Sequence, residues 1–174
     1  MFFLTIENSK GRIFEISGYN QESIRRYVFK TLQKHPHIDS IFVDTINNPF
    51  LVPNDAIYLK ICTFQDLIKL LSCFEEDKEP DLIILEDIRT LKNCPDFRTA
   101  IFEITKESTK HEYNILFLNQ FVYNFKKEYS KKKYMPLYNS IFKQYAFIRG
   151  ICISENELYT KKKKPAIFFS PVLF

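Results

Sequence analysis

The strongest constraint on the fold is a series of short segments that are apolar along almost their whole length. Ser40–Thr45 (SIFVDT), Asp81–Asp87 (DLIILED) and Asn114–Leu118 (NILFL) lack the regular apolar–polar alternation of a half-exposed strand. Continuous apolar runs of this length are typical of strands in a parallel sheet that is covered on both faces. The sequence therefore predicts an α/β fold with a buried, mostly parallel sheet.

Segments with helical periodicity separate these strands. We predict helices over Glu22–Lys34, over Phe64–Phe74 with Thr63 as its N-cap, and over Asp96–Thr109. Arg12–Ser17 and Ile57–Cys62 are predicted as further strands because they are short and rich in β-branched and aromatic residues. Strands that alternate with helices form βαβ units, and their crossover connections make neighbouring strands parallel.

The C-terminal part of the sequence departs from this alternation. Tyr145–Glu155 and Ala166–Pro171 are predicted as two consecutive strands, and Asn156–Lys164 is predicted as the turn between them. Strands that follow each other through a turn pair in the antiparallel direction. We therefore expect an antiparallel hairpin at one edge of the sheet.

Length and composition restrict the class of protein. The chain has 174 residues, which fits one domain (1–174), and four cysteines without a CxxC pair. We interpret Cys62, Cys73, Cys94 and Cys152 as reduced core residues of an intracellular protein. The three histidines show no metal-ligand spacing, and no apolar run approaches the ~20 residues that span a bilayer. The sequence thus predicts no metal, no cofactor and no membrane segment.

A phosphate-binding loop, if present, would follow the first strand of such a sheet. The pattern GxxxxGK[ST] supplies backbone N–H groups and a Lys for the phosphates and a hydroxyl for Mg²⁺. The corresponding segment is GYNQESIR, in which Gly18 is retained, Ser23 replaces the second Gly, Ile24 the Lys and Arg25 the hydroxyl. We therefore predict a degenerate nucleotide site and no ATP hydrolysis. The alternative is that Gly18 is simply a turn glycine.

The most apolar strand ends in two acidic residues. In a nucleotide-binding sheet, a carboxylate at this position helps to hold Mg²⁺, and Glu86 or Asp87 would be that residue. The alternative is a buried strand with polar residues at its exit. Because a phosphate loop is missing, the sequence favours the second interpretation.

The order of these motifs resembles the RecA-type recombinases, in particular the eukaryotic paralogues of the strand-exchange recombinase. The resemblance runs from Arg12 to Phe174. It rests on the segments RIFEISGYN, SIFVDTINNPF, DLIILEDIRTL, NILFLNQFV with Asn119 and Gln120, MPLYNSIFKQYAFIRG with Pro136, Leu137, Phe142 and Arg149, and the final stretch with Ser170 and Pro171.

The resemblance implies a fold and a set of partners. The fold would be a RecA-like three-layer domain over 1–174 with a mostly parallel sheet, a C-terminal antiparallel hairpin and no N-terminal helical domain. The chain would resemble the subunits of Shu-type complexes, which lack catalysis, pair with another RecA-like paralogue, bind single-stranded or forked DNA and help to load a strand-exchange recombinase. The implied location is the nucleus.

Two basic segments are candidates for contact with DNA. The first contains Lys126, Lys127, Tyr129, Lys131, Lys132 and Lys133, and the second contains Lys161, Lys162, Lys163 and Lys164. Lysines neutralise phosphates, and interleaved aromatic rings stack on unpaired bases. In the family that the chain resembles, the first segment is a DNA-binding loop. The alternative is a solvated charge run in each case, and the second segment also suits a nuclear-import patch.

Two other hypotheses stay open. One is that the chain acts as a RecA-like scaffold without catalysis, as in an Elongator-type assembly that binds RNA or protein. The other is that Arg25 and Arg26 contact carboxylates of a partner subunit. An enzyme finds no support, since no Ser/His/Asp order and no HExxH motif stands out.

Overall fold

The computed structural model describes residues 2–45, 57–74, 80–123 and 134–162. Within these ranges the chain forms five α-helices and eight strands. The helices are α1 (Phe2–Glu7), α2 (Gln21–Leu32), α3 (Phe64–Ser72), α4 (Phe97–Lys110) and α5 (Asn139–Tyr145). The strands are β1 (Ile13–Gly18), β2 (Ser40–Asp44), β3 (Ile57–Lys60), β4 (Leu82–Leu85), β5 (Asn114–Tyr123), β6 (Tyr134–Pro136), β7 (Ala146–Ser154) and β8 (Glu157–Lys162).

The strands form one mixed sheet in the order β3-β2-β4-β5-β1-β7-β8. Every pair from β3 to β7 is parallel, and β8 pairs antiparallel with β7. The short strand β6 pairs antiparallel with the end of β5. The prediction of a mostly parallel α/β sheet with a C-terminal antiparallel pair is therefore confirmed.

Helices cover both faces of the sheet, so the described part of the chain has three layers. The side chains of β1 alternate between the two hydrophobic clusters: Ile13 belongs to the cluster with α3, α4 and α5, and Phe14 belongs to the cluster with α1 and α2. Strand β4 alternates in the same way, and each of its four residues is buried. Burial on both faces explains why the central strands are apolar at every position.

Short polar side chains fix the start of three helices. Asn20, Thr63 and Asp96 each accept hydrogen bonds from the backbone N–H groups of the first turn that follows. These caps satisfy donors that the helix itself cannot pair. The predicted N-cap at Thr63 is confirmed, and the three predicted helices are found within a few residues of their expected bounds.

The prediction that Asn156–Lys164 is a turn is wrong. The structure places β8 at Glu157–Lys162, inside the segment that was expected to be a turn, and it reverses the chain at Glu155 and Asn156. The predicted strand Ala166–Pro171 lies outside the described residues. Because β8 is the outermost strand among the described residues and one of its faces is exposed, its sequence ELYTKK is more polar than the sequence of a central strand.

The cysteine prediction is only partly correct. All four thiols are free, but Cys62 and Cys73 are exposed, Cys94 is half-buried and only Cys152 is buried. Burial raises the pKa of the Cys152 thiol to about 11. None of the helices in the described ranges has the length and apolar character needed to cross a membrane.

Candidate ligand site at the carboxyl ends of the strands

The six parallel strands β3, β2, β4, β5, β1 and β7 end at the same edge of the sheet, where ligands of α/β folds bind. The ends of β1 and β5 are adjacent, since Ser17 pairs with Asn119 and Gly18 pairs with Gln120. Glu86 directly follows β4. A cleft of about 280 Å³ opens at this edge, and its lining includes Gln21, Glu86, Arg89, Asn119, Gln120 and Tyr138.

Arg25 and Glu86 form a buried ion pair across this edge. Arg25 is 5% exposed and Glu86 is 2% exposed. The Nε atom of Arg25 donates to Oε1 of Glu86 at 2.5 Å, and Nη2 of Arg25 donates to Oε2. Two parallel bonds from a guanidinium to a carboxylate are the strongest form of side-chain ion pair. The sequence placed both residues in the degenerate site but gave no sign that they contact each other, since they lie 61 residues apart.

Two neighbouring side chains, Gln21 and Phe42, also contact the pair. Gln21 donates from Nε2 to Oε1 of Glu86 at 2.9 Å, and the guanidinium of Arg25 lies 5.7 Å from the centre of the Phe42 ring. Burial lowers the pKa of Arg25, but the hydrogen bonds to Glu86 and the charge of Glu86 outweigh it and raise the pKa. Glu86 therefore has a fixed positive partner within the chain.

The first turn of α2 is also satisfied internally. Oδ1 of Asn20 accepts from the backbone N–H of Glu22 at 2.8 Å and of Ser23 at 3.4 Å. These amides are the groups that a phosphate would use at a helix N-terminus. The side chain of Asn20 is thus already the acceptor for two of these amides.

Gly18 is required by close packing. A Cβ atom at Gly18 would lie 2.9 Å from Cγ1 of Ile24 and 3.1 Å from the carbonyl oxygen of Cys152. Ile24 is fully buried in the cluster between α2 and the sheet. The residue that replaces the phosphate-loop Lys is therefore part of the core. The structure gives Gly18 no left-handed backbone that a turn glycine would need.

A second buried carboxylate lies beside this pair. Asp44, at the end of β2, is 1% exposed and accepts a hydrogen bond from the hydroxyl of Tyr58 on β3. Burial raises the pKa of Tyr58 to about 12, and the hydrogen bond to Asp44 adds to the shift. Tyr58 stacks on Phe42 with ring centres 5.8 Å apart, which holds its hydroxyl over the end of β2.

A third buried carboxylate, Glu15 on β1, joins two residues on which the family resemblance rests. Glu15 is completely buried, and its Oε1 accepts from Nδ2 of Asn119 at 2.7 Å and from Oγ of Ser17 at 2.9 Å. Its Oε2 accepts from Nε of Arg149 on β7. Nη1 of Arg149 continues to Oδ1 of Asn139 at 2.9 Å. These contacts connect three adjacent strands to the start of α5.

Sequence reasoning missed Glu15, although a signal was available. It is the single charged residue in the strand segment Ile13–Gly18, and a charge between apolar neighbours on a fully covered strand requires a partner. Asn119 also donates to the carbonyl oxygen of Leu137 at 2.6 Å, so the network also reaches the chain that follows β6.

Three aromatic rings cluster on the surface at the same edge. Tyr19 follows β1 and is 66% exposed. Its ring lies 4.8 Å from the ring of Phe121 on β5 and 5.3 Å from the ring of Tyr134 on β6. We call Tyr19, Phe121 and Tyr134 the aromatic cluster. Exposed rings of this kind are suited to stacking on a planar ligand.

Most of the predicted DNA-contacting residues lie outside the described part of the chain. These are Lys126, Lys127, Tyr129, Lys131, Lys132, Lys133, Lys163 and Lys164. The backbones of Lys161 and Lys162 belong to β8. The strands on either side of the segment 124–133 are described, and they place Phe121 and Tyr134 of the aromatic cluster at its two ends.

The hypothesis that Arg25 and Arg26 bind a partner is wrong for Arg25. Its guanidinium is buried and contacts Glu86 of the same chain. Arg26 is half-exposed and forms ion pairs with Glu22 and Glu155. The carboxylate of Glu86 at the end of β4 is bound within the chain by Arg25.

A comparison with protein-family models and with curated proteins finds no match to this chain. The functional argument therefore rests on the geometry of this edge of the sheet.

Proposed function

We propose that this chain is a RecA-like binding subunit without catalytic activity. In this proposal it pairs with another RecA-like protein, binds DNA and assists a strand-exchange recombinase during homologous recombination repair in the nucleus. The observation that carries the proposal is the buried pair of Arg25 and Glu86, because Arg25 already supplies to this carboxylate the positive charge that Mg²⁺ would supply.

The pair explains why catalysis is not expected. Phosphoryl transfer needs backbone donors and a Lys for the phosphates and a carboxylate for Mg²⁺. Here the donors bind Asn20, the position of the Lys is the buried Ile24, and the carboxylate of Glu86 binds Arg25. To admit MgATP, the protein would have to expose a buried carboxylate and a buried guanidinium, which costs several kcal/mol.

The layout of the sheet supports the RecA-like part of the proposal. The segments that resemble the family form β1, β2, β4, β5 and β7, and they belong to one mostly parallel sheet with an antiparallel edge pair. The resembling residues Asn119 and Arg149 bind the same carboxylate of Glu15, although they are far apart in sequence. This layout is compatible with a RecA-like domain.

The aromatic cluster supports binding to single-stranded DNA. Two of its rings, Phe121 and Tyr134, lie on the strands that flank the lysine-rich segment 124–133. Proteins that bind single strands combine such rings, which stack on bases, with cationic side chains that neutralise phosphates. Stacking on one base contributes about 1–3 kcal/mol.

The hairpin of β7 and β8 supports pairing with another subunit. Ile151 and Ile153 alternate with buried residues and are 36% and 60% exposed. Tyr159 is 61% exposed and faces Ile151 across the two strands. Exposed apolar side chains that share one face of an edge hairpin mark a surface for protein contact.

The DNA-binding claim is tested by removing one ring of the aromatic cluster. We expect Tyr19→Ala to weaken binding to a fluorescent single-stranded oligonucleotide by at least fivefold, because a stacking surface is lost. The matched control is Phe102→Ala, which removes a ring that is 58% exposed on α4. Equal affinity of both variants and the unmodified protein would refute the stacking role.

The lysine-rich segment is tested through the salt dependence of binding. Replacing Lys131, Lys132 and Lys133 by Glu should weaken binding and reduce the slope of log K against log salt, because fewer counterions are released. An unchanged slope would remove this segment from the DNA-binding surface.

A second candidate is a scaffold subunit of an Elongator-type ring. It is favoured by exposed apolar or aromatic residues on the two outermost strands of the described sheet, with Ile57 on β3 51% exposed and Tyr159 on β8 61% exposed. A ring requires two different contact surfaces on each subunit. The two candidates are distinguished by native mass spectrometry of the complex purified from its own cells. A ring of RecA-like subunits would support the scaffold, whereas a pair of RecA-like subunits that co-purifies with a recombinase would support the recombination role.

A further inference from the structure

Three side chains with metal-binding atoms converge at the opposite side of the fold from the aromatic cluster. Glu7 lies at the end of α1, and His35 and His37 lie in the connection from α2 to β2. Nδ1 of His35 and Nε2 of His37 lie 2.5 Å and 2.7 Å from the same oxygen, Oε1 of Glu7. All three candidate ligand atoms lie within 4.8 Å of one another.

The local structure holds two of these side chains in place. The ring of His35 stacks on Phe3 of α1 with ring centres 6.2 Å apart, and the backbone N–H of His35 donates to the carbonyl of Leu32 at 2.8 Å. The side chains of His35 and Glu7 are 22% and 16% exposed, whereas His37 is 63% exposed. The arrangement therefore has two anchored ligands and one that is accessible from solvent.

We propose that Glu7, His35 and His37 form a binding site for a divalent transition metal of the Zn²⁺ class. Two imidazoles and one carboxylate are a ligand set that Zn²⁺ takes, with bonds of about 2.0–2.2 Å. Nitrogen ligands favour Zn²⁺, Cu²⁺ or Ni²⁺ over Mg²⁺ and Ca²⁺, which prefer an all-oxygen set. The ion would replace the direct contacts that His35 and His37 now make with Oε1 of Glu7.

A position for a fourth ligand is available beside the cluster. Glu7 and His37 line a cleft of about 280 Å³ whose walls also carry Lys10, Asp81 and Glu112. Three protein ligands and an open position are typical of zinc sites that bind water or a further ligand. Water or a small anion in this cleft would complete a tetrahedral site.

A bound ion would join two parts of the chain that are distant in sequence. Glu7 lies 28 residues before His35, and the ion would connect the end of α1 to the connection that follows α2. Sequence reasoning missed this group because its third ligand, Glu7, comes from a helix that is distant in sequence. A site that exists only in the folded chain stabilises that chain when the metal binds.

The test is a calorimetric titration of the untagged full-length protein with ZnCl₂, above the ordinary histidine pKa of about 6.5. We expect saturable binding of one ion. His37→Gln and Glu7→Gln should each weaken it at least about tenfold, because even partners outside the ligand shell contribute that much. The matched controls are His111→Gln and Glu103→Gln, which change the same residue types outside the ligand set and outside the cleft, and should bind as tightly as the unmodified protein.

Two further readouts separate this site from other sources of metal binding. Zn²⁺ should raise the melting temperature of the unmodified protein and of both controls but not of His37→Gln, whose exposed position preserves the fold. With Co²⁺ as the probe, the absorption spectrum should lack a thiolate charge-transfer band. No saturable binding, equal affinity in all variants, or a thiolate band from Cys62 or Cys73 would each overturn the proposal.

Discussion

The carboxylates at the two ends of the sheet have different kinds of partner. At the carboxyl end, Glu86 is bound by Arg25 inside the protein, and both side chains are almost completely buried. At the other end, Glu7 is shared by two histidines, one of which is largely exposed. The first arrangement provides its own counter-charge, whereas in the second the metal that we propose would provide it.

This difference shows that the location of a carboxylate does not decide its role. Glu86 stands where a nucleotide-binding sheet would carry its Mg²⁺ ligand, yet a cation of the same chain is already bound to it. Glu7 stands in no recognisable motif, yet it is adjacent to two nitrogen ligands. What decides is whether the chain itself supplies the opposite charge.

The largest expected effect comes from breaking the buried pair at the carboxyl end. We expect Arg25→Ala to lower the free energy of unfolding by about 3–5 kcal/mol, because it leaves the carboxylate of Glu86 buried and unpaired. The matched control is Arg26→Ala. This neighbour is half-exposed and pairs with Glu22 and Glu155, and its loss should cost at most about 1 kcal/mol.

Urea denaturation of the two variants measures this difference directly. Replacing both members of the pair by apolar residues, as in Arg25→Met with Glu86→Leu, should recover much of the lost stability, because no buried charge is left. If Arg25→Ala lowers the free energy of unfolding by no more than Arg26→Ala does, the claim that Glu86 depends on Arg25 as its buried counter-charge is refuted.

A smaller effect is expected in the network around Glu15. Asn119→Ala removes hydrogen bonds to the buried carboxylate and to the carbonyl of Leu137, and should cost about 1–3 kcal/mol. Gln120→Ala changes an exposed neighbour and should stay within about 0.5 kcal/mol. If Asn119→Ala and Gln120→Ala lower the free energy of unfolding equally in denaturant experiments, the network around Glu15 contributes no more to stability than an exposed side chain does.

The smallest expected effect is a dependence on high pH at the end of β2. The pKa of Tyr58 is raised to about 12 in the folded protein from an ordinary value of 10.0. The unfolded chain therefore loses this proton first, so the stability that Tyr58 contributes is complete below pH 10 and declines as pH rises toward 12. The stability difference between the unmodified protein and Tyr58→Phe should shrink over this window in unfolding experiments. If this stability difference stays constant as the pH rises from 10 toward 12, the raised pKa of Tyr58 is contradicted.

The sheet was predictable because its strands are buried on both faces. Runs such as Leu82–Leu85 have no polar position, and this pattern distinguishes a central strand without any structure. The edge strand Glu157–Lys162 was not predictable in the same way, since only one of its faces is covered and its sequence is rich in polar residues. The helix Phe2–Glu7 was missed because six residues are too few for a periodic pattern.

The candidate sites were predictable only in part, since they depend on pairs that are distant in sequence. The sequence identified Arg25 and Glu86 as departures from a nucleotide site, but their 61-residue separation hid the ion pair. Asn119 and Arg149 were recognised by resemblance, while Glu15, which binds both, was missed. Local patterns do not show which strand ends become neighbours.

The most direct test of the central claim is a binding measurement with MgATP. Isothermal calorimetry of the purified chain at millimolar MgATP, repeated with EDTA, examines whether the carboxyl end accepts a nucleotide. We predict no saturable heat, because the helix amides bind Asn20 and the carboxylate of Glu86 binds Arg25. Saturable, Mg²⁺-dependent binding would show that this end of the sheet opens to a nucleotide, and it would contradict the proposal of a binding subunit without catalysis.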